Sequence, residues 1–364
     1  VACITIGQYT AVAAVFAYCI STMYRFRVRT SLLAAGLLFF ALAPNNLLFS
    51  ITIVKDIPFA VTVLLMLACL WRLLCADGAG LSRRSASLDW ILFGIACLGV
   101  CVLRTNGIYA FVLFLPLCLV FLPKKNDAYG AGRWKLLSVM GGALALALLF
   151  RGPVLKGMGV TPPDTVEALS IPAQHIARVI TDGCALEPDD LALLDAVVDV
   201  EKIPETYESY IADPIKELVR AKGNQAYLAD HWTDYLKLWL KLGVRYPKEY
   251  LFAQIDETVG FWYPNISYDS LYLGGIHPET TRLDISTEPV LTGEIPALLT
   301  AWLTGGHVRP VFGLLYSIGT ATWLAVAMLG FAVTRRRTWA LLPYLFGMLV
   351  LGTLLIATPV HAEF

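Results

Sequence analysis

The sequence predicts a mainly α-helical protein: a polytopic bundle of about eight transmembrane helices and one large helical domain outside the membrane. Three observations lead to this fold class: the composition, the lengths of the apolar runs and the placement of positive charge. Of the 364 residues, 57% are hydrophobic and 15% are charged, and the mean hydropathy is +0.65. Soluble domains contain about 25% charged residues, so the composition indicates a membrane protein.

Eight apolar runs approach the length that a bilayer requires. They cover, to within a few residues, 8–23, 31–50, 57–74, 90–103, 107–122, 135–150, 309–332 and 338–358. The fourth and fifth runs are short, and only Arg104-Thr105-Asn106-Gly107 connects them. This connection predicts a tight helical hairpin.

The basic residues predict the orientation of these segments. Outside residues 151–310, 13 of the 15 Lys and Arg residues fall in four loops, at 25–29, 72–89, 124–135 and 335–337. Positively charged loops stay on the cytoplasmic side. With these four loops inside, all eight segments alternate in direction, and the block after the sixth segment lies outside.

That outer block, residues 151–308, contains 23 of the 28 Asp and Glu residues of the chain. Its helical periodicity is clearest between Tyr227 and Leu242, where the apolar residues fall on one face. The predicted domains are therefore 1–150 with six segments, 151–308 outside the membrane, and 309–364 with two segments. Both ends of the chain appear truncated, so we interpret it as a fragment.

Several common kinds of site lack their sequence signature. The eight cysteines show no CxxC or Cys/His spacing, so we expect neither a disulfide framework nor a zinc site. Walker A, GxGxxG, GxSxG and HExxH sequences are absent, which argues against ATP-driven transport, dinucleotide chemistry and hydrolase or zinc-protease activity. We expect no nucleic-acid partner.

Two cations break the charge rule, because Lys55 and Arg104 lie at the outer ends of apolar segments. Asp56 adjoins one of them, and His361 and Glu363 follow the last segment on the same outer side. Charges at helix ends often extend to the membrane surface without any further role. Their concentration at three outer ends favours a functional site there.

Asp56 is the candidate catalytic residue. A carboxylate at the outer entrance of an apolar segment could act as a general base, or could bind a divalent cation such as Mg²⁺ or Mn²⁺. The alternative is an acidic residue in the first turn of a helix, which the helix dipole favours whatever its function.

Arg104 and Asn106 are candidates for binding a phosphate, together with Lys55. A guanidinium beside amide and hydroxyl groups suits phosphate oxygens. The alternative is an ordinary turn in which Asn106-Gly107 provides the backbone geometry.

Two groups in the outer block could line a cleft. Gln174, His175 and Arg178 form the first group. Glu167, Gln174 and Arg178 are spaced to share one helical face, which could line a cleft. The alternative is that this face is a solvated surface. Glu257, Trp262 and Tyr263 form the second group, in which the aromatic rings could stack on a sugar. They could also belong to the domain core or to an aromatic belt at the membrane.

Four short sequences occur in the order Lys55–Phe59, Leu103–Gly107, Ile171–Arg178 and Gly260–Pro264. With these motifs the chain resembles an uncharacterised family of bacterial multi-pass membrane proteins, which is itself similar to the GT-C glycosyltransferases. The resemblance covers nearly the whole chain.

The resemblance implies a GT-C-like enzyme in the bacterial cytoplasmic membrane. Such an enzyme transfers a sugar from a polyprenyl-phosphate carrier to a glycan, lipid or protein acceptor on the outer face. Asp56 corresponds to an acidic residue at the entrance of an early segment, and Arg104 to a ligand of the donor phosphate. The family pattern also expects an acidic residue upstream of Val1, so Asp56 is either the base or its partner.

Two other function classes remain open. A transporter or flippase for lipid-linked or polymeric glycans would carry ionisable groups near the bilayer midplane on broken helices. A non-catalytic subunit of a cell-envelope assembly complex would need no such groups.

Overall fold

The structure is a computed structural model that describes residues 2–75, 83–122, 132–161, 164–264, 293–294, 297–298, 301, 313–314, 317–334 and 338–357. Within these residues the chain is almost entirely helical. They form no β-strand, and an isolated bridge joins Glu208 to Ile211. The predicted helical fold class is confirmed.

The described chain divides into two compact units. The first comprises Val1–Phe150, Pro264–Gly347 and Glu363–Phe364, and the second comprises Arg151–Tyr263 and Met348–Ala362. The helices of the first part of the chain are α1 (Ala2–Arg25), α2 (Thr30–Leu42), α3 (Pro44–Ile51), α4 (Asp56–Leu74), α5 (Arg83–Leu103), α6 (Thr105–Phe121) and α7 (Arg133–Leu149).

A π-helical turn at Phe150–Val154 follows α7, and the second unit begins within this turn, at Arg151. The next helices are α8 (Leu155–Gly157), α9 (Thr165–Ala168), α10 (Ser170–Thr181), α11 (Pro188–Asp195), α12 (Ile203–Thr206), α13 (Asp213–Lys222), α14 (Gln225–Asp230), α15 (Trp232–Arg245) and α16 (Pro247–Trp262). Near the end of the chain lie α17 (Ile318–Thr334) and α18 (Leu342–Ala357), and 3-10 turns occupy Val200–Lys202 and Thr338–Leu341.

Five helical stretches of the described residues are long and apolar enough to cross a bilayer. They are Cys3–Arg25, Asp56–Leu74, Ser85–Leu103, Arg133–Gly157 and Thr338–Ile356. The other three predicted segments contain the shorter apolar helices α2, α6 and α17. The protein is therefore a membrane protein by the length and composition of its helices.

The second predicted segment is not one helix. Ala43 separates α2 from α3 and has an extended backbone, with φ −61° and ψ 125°. Pro44 explains the break, because proline disfavours the helical conformation of the residue before it. The 13 residues of α2 extend about 20 Å, which is less than the hydrocarbon thickness of about 30 Å.

The core of the first unit lies between α4 and α5. Met66, Cys69 and Leu70 of α4 are fully buried, as are Cys97 and Val100 of α5. The two helices approach closely at Gly99, where an added Cβ would lie 2.5 Å from Cγ2 of Thr62. A small residue is therefore required at this crossing, as is common between membrane helices.

The second unit has its own apolar core. Helix α15 contributes Tyr235, Leu238 and Leu242, and α10 contributes Ile176 and Ala177, all at most 4% exposed. The strongly amphipathic sequence of α15 explains its packing, since one face is apolar and the other carries Lys237, Lys241 and Arg245.

Candidate functional site

Asp56 and Arg104, two candidates from separate motifs, contact each other in the first unit. Asp56 is the first residue of α4, and Arg104 is the single residue between α5 and α6. Their Oδ1 and Nη1 atoms are 2.8 Å apart. The side chains of Asp56 and Arg104 are 43% and 28% exposed, so this ion pair remains accessible at the helix ends.

The tight connection after Arg104 positions the pair. Arg104 has an extended backbone, with φ −136° and ψ 145°, so the chain turns there and α6 begins at once. An added Cβ on Gly107 would lie 2.1 Å from the Val100 carbonyl oxygen and 2.6 Å from the Phe59 ring. Only glycine fits, because α6 passes directly against α5 and against the first turn of α4.

The contact is an ion pair without an aligned hydrogen bond. Asp56 Oδ1 is shielded from solvent and has no hydrogen-bond partner of good geometry, although Arg104 Nη1 is within 2.8 Å. A guanidinium carries five N–H donors, so this contact leaves others for an anion. Chemically, the pair can hold a phosphate beside a carboxylate.

Lys55 and Asn106 flank this pair in sequence. Lys55 precedes α4, is exposed, and forms no ion pair among the described residues. Asn106 is half-buried in the first turn of α6, and it has an interaction partner within the structure.

The described residues do not bring a cluster of metal ligands together at this site. The described residues contain no group of three or more His, Cys, Asp or Glu side chains suited to a metal. Asp56 offers one carboxylate, and its Oδ1 already faces a guanidinium. Mg²⁺ often binds through one or two carboxylates together with substrate phosphates, so a divalent cation at Asp56 stays a prediction.

A second ion pair, which the sequence did not predict, lies at the other end of α4. Arg72 Nε and Asp89 Oδ2 are 2.9 Å apart, and their side chains are 4% and 1% exposed. Tyr18 donates to Asp89 Oδ1 at 2.8 Å, and Arg72 Nη2 donates to Ser85 at 3.0 Å. The cytoplasmic loop predicted at 72–89 is therefore shorter, because both charged residues lie within helices.

In the second unit, His175 and Glu257 form a buried polar pair between α10 and α16. Their Nε2 and Oε2 atoms are 3.7 Å apart, and the side chains are 6% and 0% exposed. Trp239 Nε1 donates to His175 Nδ1 at 3.2 Å, and the Tyr250 ring lies 4.8 Å from the imidazole. Both carboxyl oxygens of Glu257 and Nε2 of His175 lack hydrogen-bond partners.

Burial makes both groups of this pair neutral. Burial, together with the nearby Asp256 carboxylate, raises the pKa of Glu257 to about 8. Burial lowers the pKa of His175 to about 4. The contact is therefore not an ion pair at neutral pH. Because Nδ1 accepts from Trp239, the imidazole proton is assigned to Nε2, on the side of Glu257.

Gln174 and Arg178 have identifiable structural partners. Gln174 is fully buried, and its Nε2 donates to the Glu208 and Ile211 carbonyls at 2.6 and 3.0 Å, which closes the turn between them. Arg178 pairs with Asp256 at 2.9 Å and with Asp182 at 2.7 Å. Because Gln174 is fully buried, it neither lines an open cleft nor lies on a solvated surface.

The helical face that Glu167 was expected to share with Gln174 does not exist. The helix is interrupted at Leu169, so Glu167 belongs to α9 and Gln174 to α10. Glu167 instead pairs with Lys216 and Arg220 of α13.

The remaining candidates lie near the ends of elements. Trp262 ends α16, and Tyr263 follows it; they are 36% and 45% exposed, and their rings are 6.2 Å apart. His361 and Glu363 lie outside the described residues.

Sequence reasoning missed the aromatic environment of His175 and the buried pair Arg72–Asp89. A signal existed for the buried pair: opposite charges lie at similar distances from one loop, on the two helices that this loop connects. No such signal marked Trp239 of α15 and Tyr250 of α16.

Comparisons with known proteins give the family but not an activity. No curated protein and no solved structure matches the chain. A family model does match, over residues 1–362, and its description is a family of unknown function, DUF6020. Because this match covers nearly the whole sequence, the chain belongs to the DUF6020 family.

Proposed function

We propose that the protein is an integral membrane glycosyltransferase of the bacterial cytoplasmic membrane. It transfers a sugar from a polyprenyl-phosphate carrier to a cell-surface glycan, lipid or protein acceptor on the outer face. The single observation that carries the proposal is the Asp56–Arg104 pair, 2.8 Å apart at the ends of apolar helices. The GT-C resemblance of the sequence motifs agrees with it.

Each charge of the pair has a role in this reaction. The acceptor hydroxyl oxygen attacks the anomeric carbon, and the bond from that carbon to the phosphate oxygen breaks. Asp56 takes the hydroxyl proton as general base. Arg104 stabilises the negative charge of the departing polyprenyl phosphate, with Lys55 as a second cation.

The site suits a lipid-linked donor for a physical reason. A donor with a polyprenyl chain lies in the membrane, so its phosphate reaches the membrane surface where helix ends lie. Water is partly excluded there, and charges interact more strongly than in bulk water. The dual environment of Asp56, with a shielded Oδ1 in a side chain that is 43% exposed, fits a base that meets a soluble acceptor.

The test is sugar transfer from a mixed pool of polyprenyl-phosphate sugars by the protein in lipid nanodiscs, read by mass spectrometry. Wild type is compared with Asp56→Asn and Arg104→Ala. The matched control is Asp199→Asn, which removes an exposed carboxylate paired with Lys202 far along the chain. Thermal unfolding shows first that all variants are folded.

We expect transfer by wild type and Asp199→Asn, and its loss in Asp56→Asn. Arg104→Ala should also weaken donor binding. Transfer by Asp56→Asn at the wild-type rate would show that Asp56 only begins its helix. If wild type consumes no donor from a broad set, the transporter hypothesis becomes the better one.

A further inference from the structure

Helix α16 of the second unit presents an apolar side outward. Leu251 is 59% exposed and Phe252 is 42% exposed, whereas the carboxyl-bearing Glu257 is fully buried and Thr258 is 6% exposed. A surface helix of a water-soluble domain has the reverse arrangement, with its polar residues outward. This arrangement suits a helix whose exposed side faces something less polar than water.

The exposed residues form a continuous surface, which we name the α16 stripe. The stripe consists of Leu251, Phe252, Ile255, Val259 and Trp262, each exposed or half-buried. Their spacing of three and four residues places them along one side of the helix. The stripe runs over 12 residues, from Leu251 to Trp262, which is about 18 Å of helix. It is therefore an extended apolar surface and not a single exposed apolar residue.

A hydrogen bond connects α16 to a helix that can cross the membrane. Gln254 Nε2 donates to the main-chain carbonyl of Leu355 at 2.7 Å. Leu355 lies in the last turn of α18, within the apolar stretch Thr338–Ile356. Carbonyls in a last helical turn lack helical donors, and Gln254 supplies one. Because the end of a membrane-crossing helix lies near the membrane surface, the middle of α16 lies there too.

The ends of α16 carry the side chains that interfacial helices prefer. At its beginning, the Lys248 ammonium lies 5.8 Å from the centre of the Phe252 ring. At its end, Trp262 and Tyr263 are both exposed. Lysine and aromatic residues at helix ends are typical of helices at the boundary between lipid and water. The half-buried carboxylate of Asp256, on the same helix, is paired with Arg178.

We propose that α16 lies in the surface of the bilayer, with the α16 stripe among the acyl chains of phospholipids. The occupant of this apolar side is membrane lipid. The inference depends on the membrane location of the protein and not on sugar transfer.

Photochemical cross-linking in phospholipid nanodiscs tests the proposal. The photoreactive residue p-benzoylphenylalanine replaces Phe252 in one protein and Trp262 in another. The matched control is Tyr210, an aromatic residue with almost the same exposure, 45% against 42% for Phe252. Leu113 on the membrane helix α6, 53% exposed, is the positive control. After irradiation, mass spectrometry of the peptides identifies the cross-linked partner.

We expect phospholipid adducts at Phe252, Trp262 and Leu113, several-fold more abundant than at Tyr210. The replacements change exposed aromatic or aliphatic positions, and unchanged thermal unfolding confirms the fold. A peptide of this chain or of a second copy cross-linked at Phe252 would overturn the proposal. So would the absence of lipid adducts at Phe252 and Trp262 when Leu113 forms them, or equal lipid adducts at Tyr210.

Discussion

The two ends of helix α4 carry two ion pairs that differ in nearly every physical respect. At the last turn, Arg72 and Asp89 are almost completely buried, and Tyr18 and Ser85 complete their hydrogen bonds. At the first residue, Asp56 meets Arg104 with much of each side chain exposed and no aligned hydrogen bond.

The difference separates a pair that stabilises the fold from a pair that remains accessible to solvent. Removing one partner from a buried pair leaves an uncompensated charge, which costs roughly 3–5 kcal/mol. An exposed pair contributes roughly 0–1 kcal/mol. The buried pair therefore holds α1, α4 and α5 together, whereas the exposed pair adds little stability and its atoms remain available to a ligand.

Among the variants that test this comparison, Asp89→Ala is expected to have the largest effect on the free energy of unfolding. The substitution leaves the Arg72 guanidinium buried without a counter-charge and removes the acceptor of the Tyr18 hydroxyl. We expect a loss of roughly 3–5 kcal/mol in the free energy of unfolding, measured by denaturation in nanodiscs or detergent.

Two controls accompany that measurement. Asp199→Ala removes half of an exposed pair and should cost less than about 1 kcal/mol. The double variant Arg72→Met with Asp89→Leu should recover most of the lost stability, because it removes both charges together. An equally small effect of Asp89→Ala and Asp199→Ala would contradict the burial of the pair.

Glu257 extends the comparison to a buried carboxyl without a hydrogen-bond partner among the described residues. Its pKa is about 8 in the folded protein, against an ordinary value of 4.5. The folded state thus holds a proton that the unfolded state releases, and stability falls as pH rises from about 4.5 to about 8. His175, with a lowered pKa of about 4 against 6.5, opposes this trend below about pH 6.5.

The net fall is therefore expected between about pH 6.5 and 8, and it reaches roughly 1–2 kcal/mol at 1.36 kcal/mol per pH unit. Thermal unfolding at pH 6.5 and 8.5 measures it. Glu257→Gln keeps the shape and removes the titration, so its unfolding should depend much less on pH in this range. The same pH dependence in Glu257→Gln and wild type would assign the titration to another group.

Gly107→Ala tests how the exposed pair is positioned. The new Cβ would lie 2.1 Å from the Val100 carbonyl oxygen, so α6 must move away and carry Arg104 with it. We expect a loss of stability of roughly 1–3 kcal/mol and weaker sugar transfer. Gly141→Ala is the matched control, because a Cβ there meets no atom within 4 Å and Ala favours the helix. Equal behaviour of the two variants would show that the close approach at Gly107 is unnecessary.

The sequence predicted the exposed pair better than the buried groups, and the reason is physical. Lys55 and Arg104 stood out because cations on the predicted outer side break the charge rule of a membrane protein. The predicted topology placed Asp56 and Arg104 on the same side, and the structure adds the contact between them. The break before α3 could also have been predicted from Pro44.

The buried groups left no comparable trace. Whether Arg72 and Asp89 meet depends on the rotation of two helices about their axes. Both residues fell in one predicted basic loop, at 72–89, so the sequence did not single them out. His175 and Glu257 lie 82 positions apart, and the packing of α10 against α16 brings them together. Such packing follows from three-dimensional complementarity rather than from a local pattern.

The smallest expected change in stability is the most informative about function. Asp56→Asn keeps the size of the side chain and removes a charge that is 43% exposed, so stability should change by less than about 1 kcal/mol. If Asp56 is the base, sugar transfer should nevertheless be lost at every pH, since an amide cannot take the hydroxyl proton. Asp56→Glu should restore part of it, because the carboxylate is kept. A large loss of stability in Asp56→Asn, with activity lost only in proportion to unfolding, would place this pair in the same structural class as Arg72 and Asp89.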